Sequence, residues 1–340
     1  MEMGLHIAII SNIIFEPHFP PLTKQYFGEN TAIFPIPFGE HTEDKYQTQL
    51  RSADLIVVWL NIEALLPGQF YSLAEQDSNE TIALCKKLYA DLTRISHVKI
   101  LWFLFEDYAI PLSAAVGHLY HDFADKLNLA LRDALGDQVS YVDLKHLIAE
   151  IGISNAYDAK SKYRWNAPYS KTLVEAAVNE IHKQYLIEES LTKKCLVLDC
   201  DNVLWGGILS EDGIENIKLS GSGFGRVYQD FQHFVLSLYY HGVILAVCSK
   251  NDLSDVLTMF RKHSEMVLKE AQIACFQVNW EDKPSNIKKI AEKFNIGLDS
   301  MVFVDDSPIE IEAVKALLPE VTTILFKRDM NYEQFACFNL

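Results

Sequence analysis

Two carboxylates and a thiol follow an apolar run near the middle of the chain. The segment KCLVLDCDNVLWGG (194–207) carries Asp199, Cys200 and Asp201, and two glycines close it. Its apolar residues predict a short buried strand that ends at these polar side chains. A carboxylate can act as a nucleophile or as a general acid or base, and it binds hard cations such as Mg²⁺. The segment therefore predicts a catalytic or metal site.

Further polar residues stand where later apolar runs end. Ser249 ends one run, Lys283 opens the helical pattern after the next, and Asp305 and Asp306 end a fourth. In sheets of parallel strands, ligands bind beyond the carboxyl ends of the strands. We therefore expect these side chains to meet the first two carboxylates at one edge of a sheet.

Such a set of side chains is suited to phosphoryl transfer. One carboxylate from the first strand and one from the fourth can hold Mg²⁺, with a backbone carbonyl between them and a phosphate completing the shell. Ser249 can donate to a phosphate oxygen, and Lys283 can neutralise its charge. Positive charge then permits Asp199 to attack phosphorus, with Asp201 as general acid and base.

Each fragment alone has a simpler explanation. Asp-x-Asp commonly marks a turn, and Asp-Asp before Ser-Pro can cap the helix that begins at 308. Four fragments in order, each at the end of a predicted strand, favour catalysis over four separate structural roles.

Apolar runs alternate with amphipathic helical patterns along the whole chain, which predicts an α/β protein with parallel sheets. In the first half the predicted strands cover 7–12, 55–61, 99–105 and 139–144, and the predicted helices cover 71–95, 112–135 and 170–186. In the second half the strands cover 195–200, 243–249, 274–280, 300–306 and 321–326, and the helices cover 224–241, 252–262, 284–295 and 308–318. The charged stretch IEESLTKK predicts a boundary between two doubly wound three-layer domains, 1–187 and 188–340.

Composition excludes several classes of function. The formal net charge of −16 argues against nucleic acid or an anionic membrane as partner. No apolar run approaches the length of a transmembrane helix. The six cysteines are scattered without a C-x-x-C pair, which predicts reduced thiols in a cytoplasmic protein.

The motifs of the second half resemble the haloacid dehalogenase (HAD) superfamily of phosphotransferases and, more narrowly, its FkbH-like subfamily. The similarity lies in DCDNV (199–203), AVCSKND (246–252), VNWEDKPSNI (278–287) and VFVDDSP (302–308). The resemblance implies a HAD-like Rossmannoid sheet. The short spacing between the first two motifs leaves no room for a large cap, so we expect a minimal cap and an open site.

The resemblance also implies the roles of individual residues. Mg²⁺ would be bound by Asp199, the backbone carbonyl of Asp201 and Asp306, with Asp305 beside them. The residues expected to contact substrate are Ser249, Lys250, Asn251, Lys283 and Trp205. For Trp205, a packing role stays open as the alternative.

The resemblance to FkbH-like proteins that work with polyketide synthases implies a specific reaction. A glyceryl unit is taken from 1,3-bisphosphoglycerate, phosphate is released, and the unit is loaded as a thioester on an acyl carrier protein. Cys200 would carry the acyl group, although strand alternation points it away from the two neighbouring carboxylates. The alternatives are a Mg²⁺-dependent phosphatase acting on a small or carrier-bound phosphomonoester, with Cys200 in the core, and a scaffold without activity.

The first half resembles SGNH-hydrolase-like folds but lacks their catalytic pattern. Ser11 ends the first predicted strand without a Gly-Asp-Ser block, and Asp143-x-x-His146 lies too early in the chain for the expected catalytic pair. We interpret this half as a degenerate scaffold that offers a docking surface for a carrier protein.

Overall fold

The computed structural model describes residues 5–15, 18–65, 79–106, 114–136, 139–189 and 192–329, with side chains in the helix from 114 described from 123 onward. The chain divides into two compact units, residues 1–188 and 189–340. Each unit has its own parallel sheet.

The sheet of the first unit has the strand order β2-β1-β3-β4-β5, and all its pairs are parallel. Its strands are β1 (His6–Ser11), β2 (Ala32–Pro37), β3 (Leu55–Trp59), β4 (Ile100–Phe103) and β5 (Val139–Val142). Its helices are α1 (Phe19–Phe27), α2 (Asp44–Ser52), α3 (Ile62–Leu65), α4 (Asn79–Ile95), α5 (Ala114–Leu135), α6 (Leu144–Ile151), α7 (Ile153–Ala156), α8 (Ala159–Trp165) and α9 (Lys171–Glu188). Every residue of β3 and β4 is buried, because apolar cores cover both faces of the sheet.

The sheet of the second unit has the order β10-β9-β6-β7-β8, again all parallel. Its strands are β6 (Cys195–Leu198), β7 (Ile244–Ser249), β8 (Ile273–Val278), β9 (Met301–Asp305) and β10 (Thr322–Leu325). Its helices are α10 (Leu209–Asp212), α11 (Arg226–Tyr240), α12 (Leu253–Lys262), α13 (Lys283–Phe294) and α14 (Pro308–Leu317).

The first strand of the second unit, β6, lies at the centre of its sheet, between β7 and β9. The chain moves outward to β8 on one side and then returns to β9 on the other. The carboxyl ends of β6, β7 and β9 are therefore adjacent at the point where the strand order reverses, which is the usual place for a ligand site. The predicted fold class, α/β with two doubly wound units, is confirmed.

The sequence-based assignment missed β2, whose sequence is AIFPIP. Proline cannot donate to a strand ladder, so Pro35 and Pro37 argued against a strand. The strand lies at the edge of the sheet, where proline is tolerated. Helix α1 was also missed, because its sequence begins Phe-Pro-Pro, although proline is favourable in the first turn.

Some predictions reach beyond the described residues. The predicted helix 71–95 is present from Asn79, while 71–78 lie outside the described part of the chain. The five described cysteines are buried and free, and Cys337 lies outside the described residues. Among the described helices, none combines the length and apolar character that crossing a membrane requires.

Gly206 lies against a buried aromatic ring, and its replacement by alanine is expected to lower stability. An added Cβ would approach within 2.5 Å of the Tyr228 ring, and that ring is buried and cannot move aside freely. We expect Gly206→Ala to lower the free energy of unfolding by about 1–3 kcal/mol in urea denaturation, as overpacking does.

Gly221→Ala is the matched control for this change. There the nearest atom to an added Cβ is Gln229 Oε1 at 3.4 Å, at the end of a flexible side chain. We expect its unfolding midpoint to stay within experimental error of the parent or to rise slightly. Equal losses in both variants would contradict the packing argument.

Candidate active site

The chain leaves β6 through a tight turn. The Asp199 amide still donates to Val304 O of β9 at 3.0 Å, so Asp199 continues the ladder of the sheet. The amides of Val203 and Leu204 then both donate to Cys200 O, at 3.2 and 2.8 Å, which closes one helical turn. Asn202 adopts a left-handed conformation with φ of 55°. Asn is one of the few residues other than glycine that visit this region readily.

This turn is anchored from behind by a fully buried glutamine. Gln232 of α11 donates to Leu204 O at 2.7 Å, and its Oε1 accepts from the amides of Val267 and Leu268 at 2.9 and 3.0 Å. The side chains of Val203, Leu204 and Trp205 are buried in the core. The carboxylates on this turn are thus held by a rigid backbone.

Three carboxylates meet beyond the ends of β6 and β9. One oxygen each from Asp199, Asp305 and Asp306 lies within 4.8 Å of the others. Asp199 and Asp305 are buried, with exposed fractions of 8% and 1%. Like charges this close repel in a poorly solvated site, so the cluster requires positive charge to stabilise it.

Lys283, at the start of α13, supplies part of that charge. Its Nζ lies 2.7 Å from Asp199 Oδ1 and 2.9 Å from Asp305 Oδ2, and it donates to Cys248 O at 2.9 Å. The side chain is buried, which by itself lowers the pKa of Lys283, but the charges of Asp199 and Asp305 outweigh burial and raise it. Lys283 therefore stays protonated.

The pKa values of two carboxyl groups are raised as well, which favours their neutral form. Burial, and next the charge of Asp199, raise the pKa of Asp305 to about 6, although Lys283 offsets part of the rise. The same two causes raise the pKa of Asp306. Among the described residues, the cavity wall carries five carboxylates and two ammonium groups, an excess of negative charge.

The cluster fits a Mg²⁺ ion. Its donors are all carboxylate oxygens, the ligands this cation prefers. Among the described residues, the buried Asp199 Oδ1 has one partner, the Lys283 ammonium at 2.7 Å, and no further hydrogen-bond donor reaches it. Asp199 therefore keeps lone pairs for a cation, beside the carboxylates of Asp305 and Asp306.

Asp201 lies outside the three-carboxylate cluster and is held by nitrogen donors. Its Oδ1 accepts from Trp205 Nε1 at 2.8 Å and from the Leu209 amide at 3.1 Å, and its Oδ2 accepts from Asn251 Nδ2 at 2.9 Å. Burial raises the pKa of Asp201, and these hydrogen bonds oppose the rise. The predicted binding of a metal through its backbone carbonyl stays a prediction.

Ser249 ends β7 and Lys250 follows it, and both line the cavity, which has a volume of about 280 Å³. The Ser249 hydroxyl lies 3.2 Å from Asn251 Nδ2, which donates to it. Lys250 Nζ donates to Glu310 Oε1 at 2.6 Å, across the cleft from β7 to α14. Asn251 itself is buried, and its described contacts with the site are its hydrogen bonds to Asp201 and Ser249.

Two predicted site residues lie in the core instead of on the cavity wall. Cys200 and Trp205 have exposed fractions of 0%. Cys200 packs among the apolar residues of one face of the sheet. Burial, followed by the charges of Asp199 and Asp201, raises the pKa of its thiol well above the ordinary value, and the Ser249 hydroxyl and Lys283 only partly oppose this.

The sequence analysis missed Asn202, Ile208 and Glu310, which also line the cavity. Asn202 could have been found, because it stands between the paired carboxylates and the two glycines. Glu310 gave no signal, since an acidic residue in the first turn of a helix is common for reasons of helix stability alone.

The first unit does not assemble an esterase site from its described residues. Ser11 Oγ donates to Ile13 O and accepts from the Ile13 amide, so its hydroxyl is engaged locally. Asp143 caps α6 by accepting from the His146 amide, and the His146 ring pairs with Glu150. A larger cavity of about 570 Å³ lies in this unit, but its described wall carries no charged side chain.

Comparison with solved structures agrees with these features. The chain is similar to the N-terminal part of the protein BF1531 from Bacteroides fragilis, which contains a phosphatase domain complexed with Mg. The identity is 26%, the match covers 99% of this chain and 93% of that one, and the TM-score is 0.80. No family model matches the sequence, and no curated protein matches it significantly.

Two weaker similarities concern parts of the chain. A HAD family enzyme, bt-2542 from Bacteroides thetaiotaomicron in complex with magnesium and inorganic phosphate, is 14% identical, with coverage of 42% of this chain and 98% of that one and a TM-score of 0.30. The lipase Lip_vut3 from a goat rumen metagenome is 12% identical, with coverage of 53% and 97% and a TM-score of 0.40. At these TM-scores, neither similarity supports a conclusion about this chain.

Removal of the buried ammonium group should destabilise the second unit strongly. Lys283→Met leaves Asp199 and Asp305 close together without their shared cation. We expect the free energy of unfolding, measured by urea denaturation at neutral pH, to fall by about 3–5 kcal/mol, the usual result of breaking a buried pair.

Lys315→Met is the control, because Lys315 forms an exposed pair with Glu312 at 2.9 Å. Exposed pairs contribute about 0–1 kcal/mol, so this variant should unfold almost like the parent. A loss below 1 kcal/mol in Lys283→Met would show that the buried pairs do not stabilise the site.

Proposed function

We propose that the second unit is a Mg²⁺-dependent phosphatase of the HAD type that acts on a phosphomonoester. The observation that carries the proposal is the cluster of Asp199, Asp305 and Asp306, one oxygen of each within 4.8 Å of the others, next to the buried Lys283. The similarity to the B. fragilis phosphatase domain, which is complexed with Mg, supports it.

Asp199, Asp305 and Asp306 would hold the cation. Bound there, Mg²⁺ supplies positive charge that offsets repulsion between the carboxylates and an incoming phosphate. Lys283 adds a fixed positive charge on the same side of the cleft. Ser249 can donate its hydroxyl hydrogen to a phosphate oxygen.

The nucleophile would be Asp199. Its carboxylate oxygen forms a bond to phosphorus as the bond from phosphorus to the leaving oxygen breaks, and protonated Asp201 gives its proton to that oxygen. In the second step, water attacks phosphorus and gives a proton to Asp201. The bond between phosphorus and Asp199 breaks, and inorganic phosphate leaves.

The more specific reaction expected from the sequence, loading of a glyceryl unit onto an acyl carrier protein, requires a reactive thiol. Cys200 would have to reach a substrate carbon and ionise, but its side chain is buried and burial raises the pKa of its thiol. The geometry therefore favours the phosphatase, with Cys200 as a core residue. Glyceryl transfer and a carrier-protein partner stay predictions.

Substitutions at neighbouring positions separate the two reactions. We expect Asp199→Asn to reduce Mg²⁺-dependent phosphate release to background, because an amide is a poor nucleophile. Cys200→Ala should retain release within about threefold, since the thiol takes no part in the phosphatase mechanism. Phosphate released from a panel of phosphomonoesters is the measurement.

The same proteins can be incubated with bisphosphoglycerate, Mg²⁺ and an acyl carrier protein and weighed by intact-mass spectrometry. An enzyme adduct of glyceryl mass that disappears in Cys200→Ala would establish acyl transfer instead. Undiminished phosphate release by Asp199→Asn would exclude both reactions at this site.

Binding of Mg²⁺ should stabilise the folded protein. At a concentration 100 times Kd, a ligand that binds only the folded state adds about 2.7 kcal/mol. We expect MgCl₂ to raise the Tm of the parent, and Asp306→Asn to abolish that rise. Asp255→Asn, which changes an exposed acidic residue of α12, should leave it intact. An equal rise in all three proteins would place the cation elsewhere.

A further inference from the structure

We propose that Trp205 is a positioning residue for the proton transfer carried out by Asp201, and that it acts through its indole N–H. The inference rests on the proposed phosphatase function and deepens it. Trp205 does not touch the cavity, since its side chain is fully buried. It reaches the chemistry through one hydrogen bond, from Nε1 to Asp201 Oδ1 at 2.8 Å.

The two oxygens of Asp201 have different environments. Among the residues that the structure describes, Oδ1 accepts from two N–H donors, Trp205 and the Leu209 amide, while Oδ2 accepts from one, Asn251. Asn251 Nδ2 also donates to Ser249 Oγ at 3.2 Å, so Oδ2 lies on the Ser249 side of the cleft. Oδ1 has no lone pair left for a proton, whereas Oδ2 has one.

This asymmetry assigns the proton to one atom. As the bond from phosphorus to the leaving oxygen breaks, the O–H bond at Asp201 Oδ2 breaks and its proton passes to the leaving oxygen. The carboxylate torsion of an aspartate is intrinsically broad. Donors fixed on Oδ1 restrict that torsion and hold Oδ2 toward the substrate.

Trp205 can fix Oδ1 because its own position is fixed. It lies four residues after Asp201, at the other end of the turn that follows β6, and its ring packs edge-on against Phe260 with centroids 6.3 Å apart. Next along the chain, Gly206 pairs with Lys218 in both directions, at 3.0 and 2.8 Å. The indole therefore belongs to a residue that directly precedes a segment held by two backbone hydrogen bonds.

Packing alone does not account for the hydrogen bond. Trp102 of β4 is as deeply buried, yet its indole nitrogen finds no partner among the described residues. A buried tryptophan in this protein thus does not require a carboxylate. A phenyl ring can occupy most of the Trp205 site without the N–H group.

The test compares two substrates that differ in their need for a proton. The leaving group of an alkyl phosphate is a strongly basic alkoxide, which needs a proton from the general acid. The leaving group of p-nitrophenyl phosphate is a stable phenolate, which does not. General acid catalysis contributes about 10²–10⁴-fold. We expect Trp205→Phe to lower kcat/KM for the alkyl phosphate by about 10- to 100-fold, and for p-nitrophenyl phosphate by less than about threefold.

Two controls separate positioning from loss of packing. Phe260→Leu disturbs the ring that contacts Trp205 but keeps the indole N–H, so it should affect both substrates equally. In an Asp201→Asn background, Trp205→Phe should cause no further selective loss, because the group it positions is gone. Equal losses on both substrates in Trp205→Phe, or a selective loss that persists without Asp201, would overturn the proposal.

A second variant addresses the same oxygen if Trp205→Phe fails to fold. Leu209 is the first residue of α10, and the residue before it, Ile208, is extended with φ of −110° and ψ of 113°. Proline is tolerated by the backbone at such a position and removes the amide donor, together with part of the buried Leu209 side chain, whose loss should affect both substrates equally. Leu209→Pro should show the same selective loss, and an unselective loss would count against the proposal.

The proposed function and this inference fail in different ways. If the parent protein releases phosphate from neither substrate, the phosphatase assignment is wrong and the role of Trp205 falls with it. If the parent is active and Trp205→Phe keeps the parent's ratio of kcat/KM values, only the positioning role is wrong.

Discussion

A single buried ammonium group joins the ends of three strands in the second unit. Lys283 Nζ lies within 2.9 Å of carboxylates that follow β6 and end β9, and of the carbonyl of Cys248 in β7. A charge buried without partners would cost several kcal/mol, so it is stable only if all three strands end in register around it. The sheet order places β6 between β7 and β9 and brings these partners together. Fold and charge pairing thus depend on each other.

Sequence analysis placed most accurately the site residues that lie at the ends of predicted strands. Asp199, Lys283 and Asp305 each stand at the end of an apolar run or at the start of the next helix. In a parallel sheet, that placement alone brings them to one edge. Hydrophobic periodicity therefore sufficed to predict that these three side chains would meet.

Features that depend on a turn could not be predicted in this way. Cys200 still follows strand alternation and packs on the same face as Leu196 and Leu198, but no such pattern predicts the helical turn closed by the Val203 and Leu204 amides. The hydrogen bond from Trp205 to Asp201 depends on the same turn. No periodicity encodes such a contact, because it needs the backbone angles of four successive residues.

Pro35 and Pro37, which argue against a strand at β2, also change the hydrogen-bonding capacity of the sheet edge that β2 forms. The Ala32 amide donates to Leu5 O, just before β1, and the Phe38 amide donates to Ser11 O of β1, so alternation directs the amide positions of residues 33, 35 and 37 away from the sheet. Positions 35 and 37 are proline and have no N–H to offer. A foreign strand approaching this edge would find two of those three donors missing, which protects the protein against edge-to-edge aggregation.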